Sequence, residues 1–325
     1  MTAFYYFCGH EQWQPETLVE HAVAAEAAGF DGLLISDPFH PWVDDAGASG
    51  FAFATLGAMA RATHRLRLAT GVTTPLFRYH PAVVAQAAAT IDRLSGGRFD
   101  LGVGTGENIN EAPVGLPFPP YGERARRLTE ALEIMRRLLD GEKVTFSGRY
   151  YQTDRACLYS PPLGRVAIWM AAGGPQSAAI AATKADGIIT SVKDPAEAME
   201  KVVLPAREAA AAAGRPAPRV VATRWVIVAA DEEEAWQALL PWRGLRAPGR
   251  LEAVDPKDLR RRADELPRAE VLGRYAIAAG VEALVEAYRP LVQEVGADVV
   301  TLQVASLHQE ETIAVLGTEV LPRLR

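Results

Sequence analysis

Glu107 closes a run in which a strand hands over to chemistry: Arg98-Phe99-Asp100-Leu101-Gly102-Val103-Gly104-Thr105-Gly106-Glu107-Asn108-Ile109-Asn110-Glu111. An apolar strand enters glycines, where the backbone can approach a ligand closely. Carboxylates then appear at the carboxyl end of the strand, where parallel α/β folds place their sites. A carboxyl group in a largely apolar mouth has a raised pKa and becomes fit to exchange protons. Taken alone, the same string also reads as a glycine-rich turn with a solvated acid. Other predicted strand ends carry Glu11, Asp37, His40, Trp42, Thr73, Thr74, Asn110, Gly173, Gly174 and Lys193. His40 brings the side chain best suited to proton exchange near neutral pH. Gly173 and Gly174 precede a helix, so backbone N–H groups there can face a phosphate, and Thr105-Gly106 offers a second such turn. Gly71 on its own reads equally as an ordinary strand end.

These residues converge only if the elements between them form a barrel. Predicted strands run over Tyr5–Cys8, Gly32–Ser36, Leu66–Val72, Arg98–Val103, Val166–Ala171, Gly187–Ser191, Arg219–Ala229 and Asp298–Val304. Helical patterns separate them at 15–29, 51–63, 81–95, 121–140, 177–184, 195–213, 232–240 and 281–295, with a last helix near 310–321. Unbroken apolar strands fit a parallel sheet covered on both faces, and this alternation fits a single (β/α)8 TIM barrel domain over residues 1–325. A doubly wound sheet competes, but no GxGxxG follows the first strand. Insertions around 142–162 and 241–268 interrupt the alternation and read as loops that shape a pocket.

The 325 residues are 49 % apolar and 23 % charged, close to an average globular protein, and carry no low-complexity linker. A net charge of −6 argues against a nucleic-acid partner and leaves small anionic ligands open, since a few local arginines suffice for those. The start Met1-Thr2-Ala3-Phe4 lacks the basic, apolar pattern of a secretion signal, and no stretch reaches the roughly 18 apolar residues of a membrane helix, so a cytoplasmic protein is expected. Cys8 and Cys157 are far apart, and neither they nor the six histidines show metal-ligand spacing, so no metal site is expected.

Several blocks together resemble the luciferase-like flavin and deazaflavin oxidoreductases, and within them the coenzyme F420-dependent glucose-6-phosphate dehydrogenases. They are Ser36-Asp37-Pro38-Phe39-His40-Pro41-Trp42, the run Thr74 to Val83, Gly102 to Glu107 with Asn110-Glu111, Gly148-Arg149-Tyr150-Tyr151, Ala171 to Pro175 and Ala185-Asp186-Gly187. The resemblance spans nearly the whole chain. It implies F420 lying across the barrel mouth, with Asp37, Gly71, Val72, Thr74, Thr105, Gly106, Asn110, Ala172, Gly173 and Gly174 as cofactor-binding positions. It also implies a cis peptide at Gly71–Val72 that supports the ring, and a homodimer formed through helices after the early strands. The family's proton-accepting histidine falls at Pro38, which has no titratable group, whereas Trp42, Glu107 and Glu11 match its tryptophan and acids. His40 is then either a replacement base or a residue that orients Trp42 or the ring, with Glu107 the next candidate base. Lys193, Arg250 and Arg274 match the cations that hold a substrate phosphate; Arg260 to Arg262 read as a solvated helix face. The expected activity is hydride transfer between F420 and an alcohol or carbonyl carbon, with a sugar phosphate such as glucose 6-phosphate as the first substrate. Alternatives are an FMN-dependent monooxygenase and a non-catalytic cofactor-binding accessory protein.

Overall fold

The computed structural model describes residues 1–325. Numbered along the chain, its strands are β1 (Ala3–Cys8), β2 (Gly32–Ile35), β3 (Arg67–Thr70), β4 (Phe99–Val103), β5 (Val144–Ser147), β6 (Gln152–Ala156), β7 (Ile168–Ala171), β8 (Gly187–Ser191), β9 (Arg219–Val228), β10 (Ala276–Ala278) and β11 (Val299–Ala305). Strands β1-β2-β3-β4-β7-β8-β9-β11 follow one another in parallel, and β11 pairs back onto β1. This is a closed (β/α)8 TIM barrel. Strands β2 and β4 are buried at every residue, as expected where helices cover the outside and side chains fill the inside. The inside is plugged by Tyr5, Leu34, Ala69, Trp169, Ile189, Val221 and Val299. With the lower barrel filled, only its mouth is left for a ligand.

Local sequence sets these elements. Pro81 opens the helix Pro81–Ser95, His80 Nδ1 accepts from the Ala82 N–H at 3.2 Å, and Gly96 ends it with φ of 72°. Gly102 has a different reason for being glycine. Thr70 Oγ1 donates to the Gly102 carbonyl at 2.6 Å, and a Cβ at this position would collide with the Thr70 carbonyl oxygen. That close passage of β3 against β4 brings the 71–74 and 104–107 turns together, and the Thr73 N–H donates to Gly102 O at 2.9 Å.

Three features escaped the sequence reading. The first insertion is an antiparallel hairpin, β5 with β6, rather than an irregular loop. Strand β10 adds to the far end of β9, which runs past the barrel rim. The late insertion holds a 3-10 turn, Leu240–Arg246, and a helix, Pro256–Asp264, and packs on its own cluster around Trp42, Trp225, Trp236, Trp242 and Tyr275. Three- to five-residue strands and aromatic-rich turns carry too little periodicity to be read from a chain. No helix is long and apolar enough to cross a membrane.

Candidate active site

A cavity of about 960 Å³ opens at the carboxyl ends of the barrel strands, lined by Glu11, Trp42, Gly71, Val72, Glu107, Lys193, Arg250 and Arg274 among others. It thus collects eight of the positions singled out in the sequence. Its floor is Ile189, the upper edge of the barrel plug. The Gly71–Val72 peptide is cis.

Glu11 follows β1 and is buried. Ser36, just past β2, donates from Oγ to Glu11 Oε2 at 2.5 Å and accepts from the His10 N–H at 2.9 Å. His10 is fixed in turn, Nδ1 donating to Ser36 O at 2.7 Å and Nε2 meeting Thr55 Oγ1 at 2.9 Å. Burial lowers the His10 pKa, with the Ser36 hydrogen bond opposing the shift. Burial also pushes the Glu11 carboxyl up to about 7, with the Ser36 hydrogen bond opposing the rise. A carboxyl group titrating near neutrality, facing a cavity and held by a hydroxyl, is equipped to take and return a proton.

Glu107 reaches the same cavity from the turn after β4. Burial raises its pKa and Arg250 opposes that rise, since Arg250 Nη1 donates to Glu107 Oε1 at 2.9 Å. The Arg250 guanidinium also lies 5.5 Å from the Trp42 ring centroid, within cation–π range. Arg124, which the sequence reading passed over, fastens the turn beneath: its Nη1 donates to Thr105 O and Gly106 O, both at 3.1 Å. Gly106 takes φ of 78°, and a side chain there would press on Thr74.

Other expected positions lie outside this cavity. His40 turns away and donates from Nδ1 to Val254 O at 3.1 Å, so its ring braces the late insertion. Asn110 Oδ1 accepts from the Phe39 and His40 N–H groups at 2.9 and 3.2 Å and shapes the loop after β2. Pro38 borders a separate recess of about 560 Å³ with Phe39, Phe51, Phe77 and Leu116. Asp37 belongs to a buried network: Tyr79 Oη donates to its Oδ1 at 3.2 Å, and Arg78 lies 3.6 Å from its Oδ2 and 3.3 Å from Glu111 Oε1. Thr74 and Ala172 are buried. The Gly173 and Gly174 N–H groups both meet Ser177 Oγ at 3.2 Å, so the helix start caps itself. An added Cβ at either glycine would still find nothing within 4 Å, which leaves open space beside this turn. Gly173 borders a recess of about 250 Å³ that shares Ser191 and Lys193 with the main cavity.

Sequence reasoning missed Ser36 as a partner of Glu11, Trp225 and Trp242 as cavity walls, and Arg246 as a fourth lining cation. Ser36 stood at a strand end and was within reach of that reasoning. Arg246 sits in an arginine-rich stretch with no periodic signal.

Known proteins with the same sequence pattern share this architecture. The family model described as luciferase-like monooxygenase matches residues 2–298. An F420-dependent glucose-6-phosphate dehydrogenase of Nakamurella multipartita is 37% identical over 99% of this chain and 96% of its own. An F420-dependent hydroxymycolic acid dehydrogenase of Mycobacterium tuberculosis is 37% identical over 97% of this chain and 86% of its own. Among solved structures, an F420-dependent secondary alcohol dehydrogenase in complex with an F420-acetone adduct superposes with a TM-score of 0.93 at 31% identity, covering 100% of this chain and 99% of that one.

Proposed function

The chain belongs to the luciferase-like monooxygenase family, and on that premise we propose that it is an F420-dependent oxidoreductase moving a hydride between the cofactor and an alcohol or carbonyl carbon. The observation that carries this reading is the meeting of Glu11, Trp42 and Glu107 with the Gly71–Val72 turn in one cavity at the barrel mouth. The relatives named for F420 act, by their names, on a sugar phosphate, a hydroxymycolic acid and a secondary alcohol. An alcohol or the matching carbonyl is the group these share.

The residues present suit a planar, carbonyl-bearing ring. Trp42 and Trp225 line the cavity, and each has a buried indole N–H with no acceptor in the protein; such donors are normally satisfied, and a carbonyl-bearing ligand would supply the missing acceptors. The open space beside Gly173 and Gly174 suits a phosphate-bearing tail approaching backbone. Val72, Trp42, Gly173 and Gly174 are the residues we assign to hold the cofactor. When bound, F420 supplies a ring carbon that accepts or returns a hydride.

The chain's own groups do the rest. Glu11 takes the hydroxyl proton on the carboxyl oxygen that Ser36 does not engage; His40, whose Nδ1 bonds the Val254 carbonyl outside this cavity, is the competing candidate base. Arg250 bonds Glu107 and lies 5.5 Å from the Trp42 ring centroid, which fixes the carboxylate at the cavity wall. The loop after β8 and the late insertion contribute Lys193, Arg246, Arg250 and Arg274, a cationic sector suited to a substrate with an anionic end. Titrating the protein into F420 and FMN in parallel tests the cofactor assignment. F420 fluorescence should be quenched saturably, and Trp42→Ala should weaken the response. Tight FMN binding with no response to F420 would overturn it.

A further inference from the structure

We infer that His10 is a positioning residue for the reaction: from behind the cavity wall its ring ties the end of β2 to the helix Ala52–Ala62 and so holds the Ser36 hydroxyl on the Glu11 carboxylate. The inference rests on the reading of Glu11 as the base and adds what keeps that base in place.

Ser36 is gripped from the same segment that carries Glu11. Its N–H donates to Cys8 O at 3.1 Å, its Oγ accepts from the His10 N–H at 2.9 Å, and its carbonyl accepts from His10 Nδ1 at 2.7 Å. Two of these bonds come from His10. The hydroxyl is left with its own proton to give, and gives it to Glu11 Oε2 at 2.5 Å. A carbonyl only accepts, so Nδ1 carries the ring proton, and Nε2 of the singly protonated ring accepts from the Thr55 hydroxyl at 2.9 Å. Thr55 belongs to the helix Ala52–Ala62. The ring therefore spans from a strand end to a helix, with a hydrogen bond on either side.

The seat admits little else. His10 is fully buried, and a Cβ on Gly50 would lie 2.7 Å from its Cδ2 and 2.8 Å from its Nε2. The imidazole is thus packed against backbone and has no room to swing. Asparagine at this position would present an N–H where Nδ1 stands and fall short of Thr55, whereas leucine would fill the space with no donor at all. A side chain kept for packing alone has no use for two opposed polar atoms that each find a partner.

The consequence falls on Glu11. Burial pushes its carboxyl up to about 7 and the Ser36 hydroxyl leads the influences that oppose the rise. Glu107 and Asp37, the charged groups that face it from the ends of β4 and β2, raise it further. Loosening Ser36 withdraws support from the carboxylate, so the carboxyl holds its proton to higher pH. A general loosening that lets water in would act in the opposite direction, because it relieves the burial.

Infrared titration of the cofactor-free protein tests this without turnover. The carboxyl band that titrates in the parent and is missing from Glu11→Gln reports Glu11 directly. In His10→Leu its midpoint should rise by about 0.5 to 1 pH unit, the size of one lost hydrogen bond. His10→Asn should recover most of that shift, and Thr55→Val should move the midpoint upward by less. With F420 and either glucose 6-phosphate or 2-propanol, the rise of kcat/KM with pH should follow the band, and kcat in His10→Leu should fall about 10-fold, as displacing a reacting group does. Circular dichroism verifies that each variant is folded. A midpoint that stays or falls in folded His10→Leu, or no recovery in His10→Asn, would overturn the inference; should His10→Leu fail to fold, an unmoved midpoint in Thr55→Val does so. The two claims separate on the same samples. A normal dependence of turnover on Glu11 with the midpoint indifferent to His10 sinks only this inference, whereas a midpoint that rises while turnover ignores Glu11→Gln sinks the reading of Glu11 as the base.

Discussion

Glu11→Gln is expected to lower kcat by about 10²- to 10⁴-fold, the range that a positioned general base contributes, with F420 binding retained. Glutamine keeps the shape and can still meet the Ser36 hydroxyl, but cannot accept a proton from an alcohol. The parent's pH profile carries the same signature. Glu11 must be deprotonated to act as base, and burial places its pKa at about 7. For alcohol oxidation, kcat/KM should therefore rise with pH through about 7 and level off above, and the rise should vanish in Glu11→Gln. His40→Ala separates the two candidate bases: with its ring on Val254, it should leave the position of the rise in place. If His40→Ala abolishes the rise while Glu11→Gln turns over normally, the proton passes through the imidazole.

The second large effect concerns stability. Arg78→Met should cost about 3–5 kcal/mol at neutral pH, the usual result of stranding a buried charge. Arg78 is the only cation between the carboxyls of Asp37 and Glu111, whose side chains are both fully buried. Burial raises both pKa values and Arg78 opposes the rise, so without Arg78 both rise further. A carboxyl whose folded pKa lies above its unfolded value loses stability as pH climbs through the folded value. The variant's deficit should thus be largest above pH 7 and shrink towards pH 5, where the stranded carboxyls take up protons. Urea unfolding at the two pH values checks this, and an equal deficit at both would show that packing rather than charge dominates. Arg78 also donates to the Asp37 carbonyl at 2.7 Å. The loop that carries Trp42 should therefore loosen, and F420 affinity should fall with it.

The barrel was legible because its strands are uninterrupted apolar runs between helical repeats, and a closed sheet turns scattered strand ends into one rim. Glu11, Trp42, Glu107 and Lys193 were found by that rule alone, without any knowledge of contacts. The rule gives position along the chain but not side-chain direction. His40 lies two residues from Trp42, yet one side chain enters the cavity and the other braces Val254. Asp37 is at a strand end but is drawn into the Arg78 network. Arg250 was singled out as a phosphate-holding cation and lines the cavity paired with Glu107, whereas Arg246 was passed over among the insertion's arginines, because only tertiary packing decides which guanidinium reaches the cavity. Local pattern encodes the rim, and long-range pairing assigns the work of each residue on it.

The most direct test of the account is anaerobic transfer of a label. Alcohols deuterated at the carbinol carbon, glucose 6-phosphate deuterated at its anomeric carbon and simple secondary alcohols among them, are mixed with enzyme and F420, and the reduced cofactor is analysed for deuterium. The account predicts deuterium in F420 from at least one of them, a slower rate than with the unlabelled alcohol, and no need for oxygen. No transfer to F420 from any member of the panel, together with oxygen-dependent turnover on reduced FMN, would contradict it.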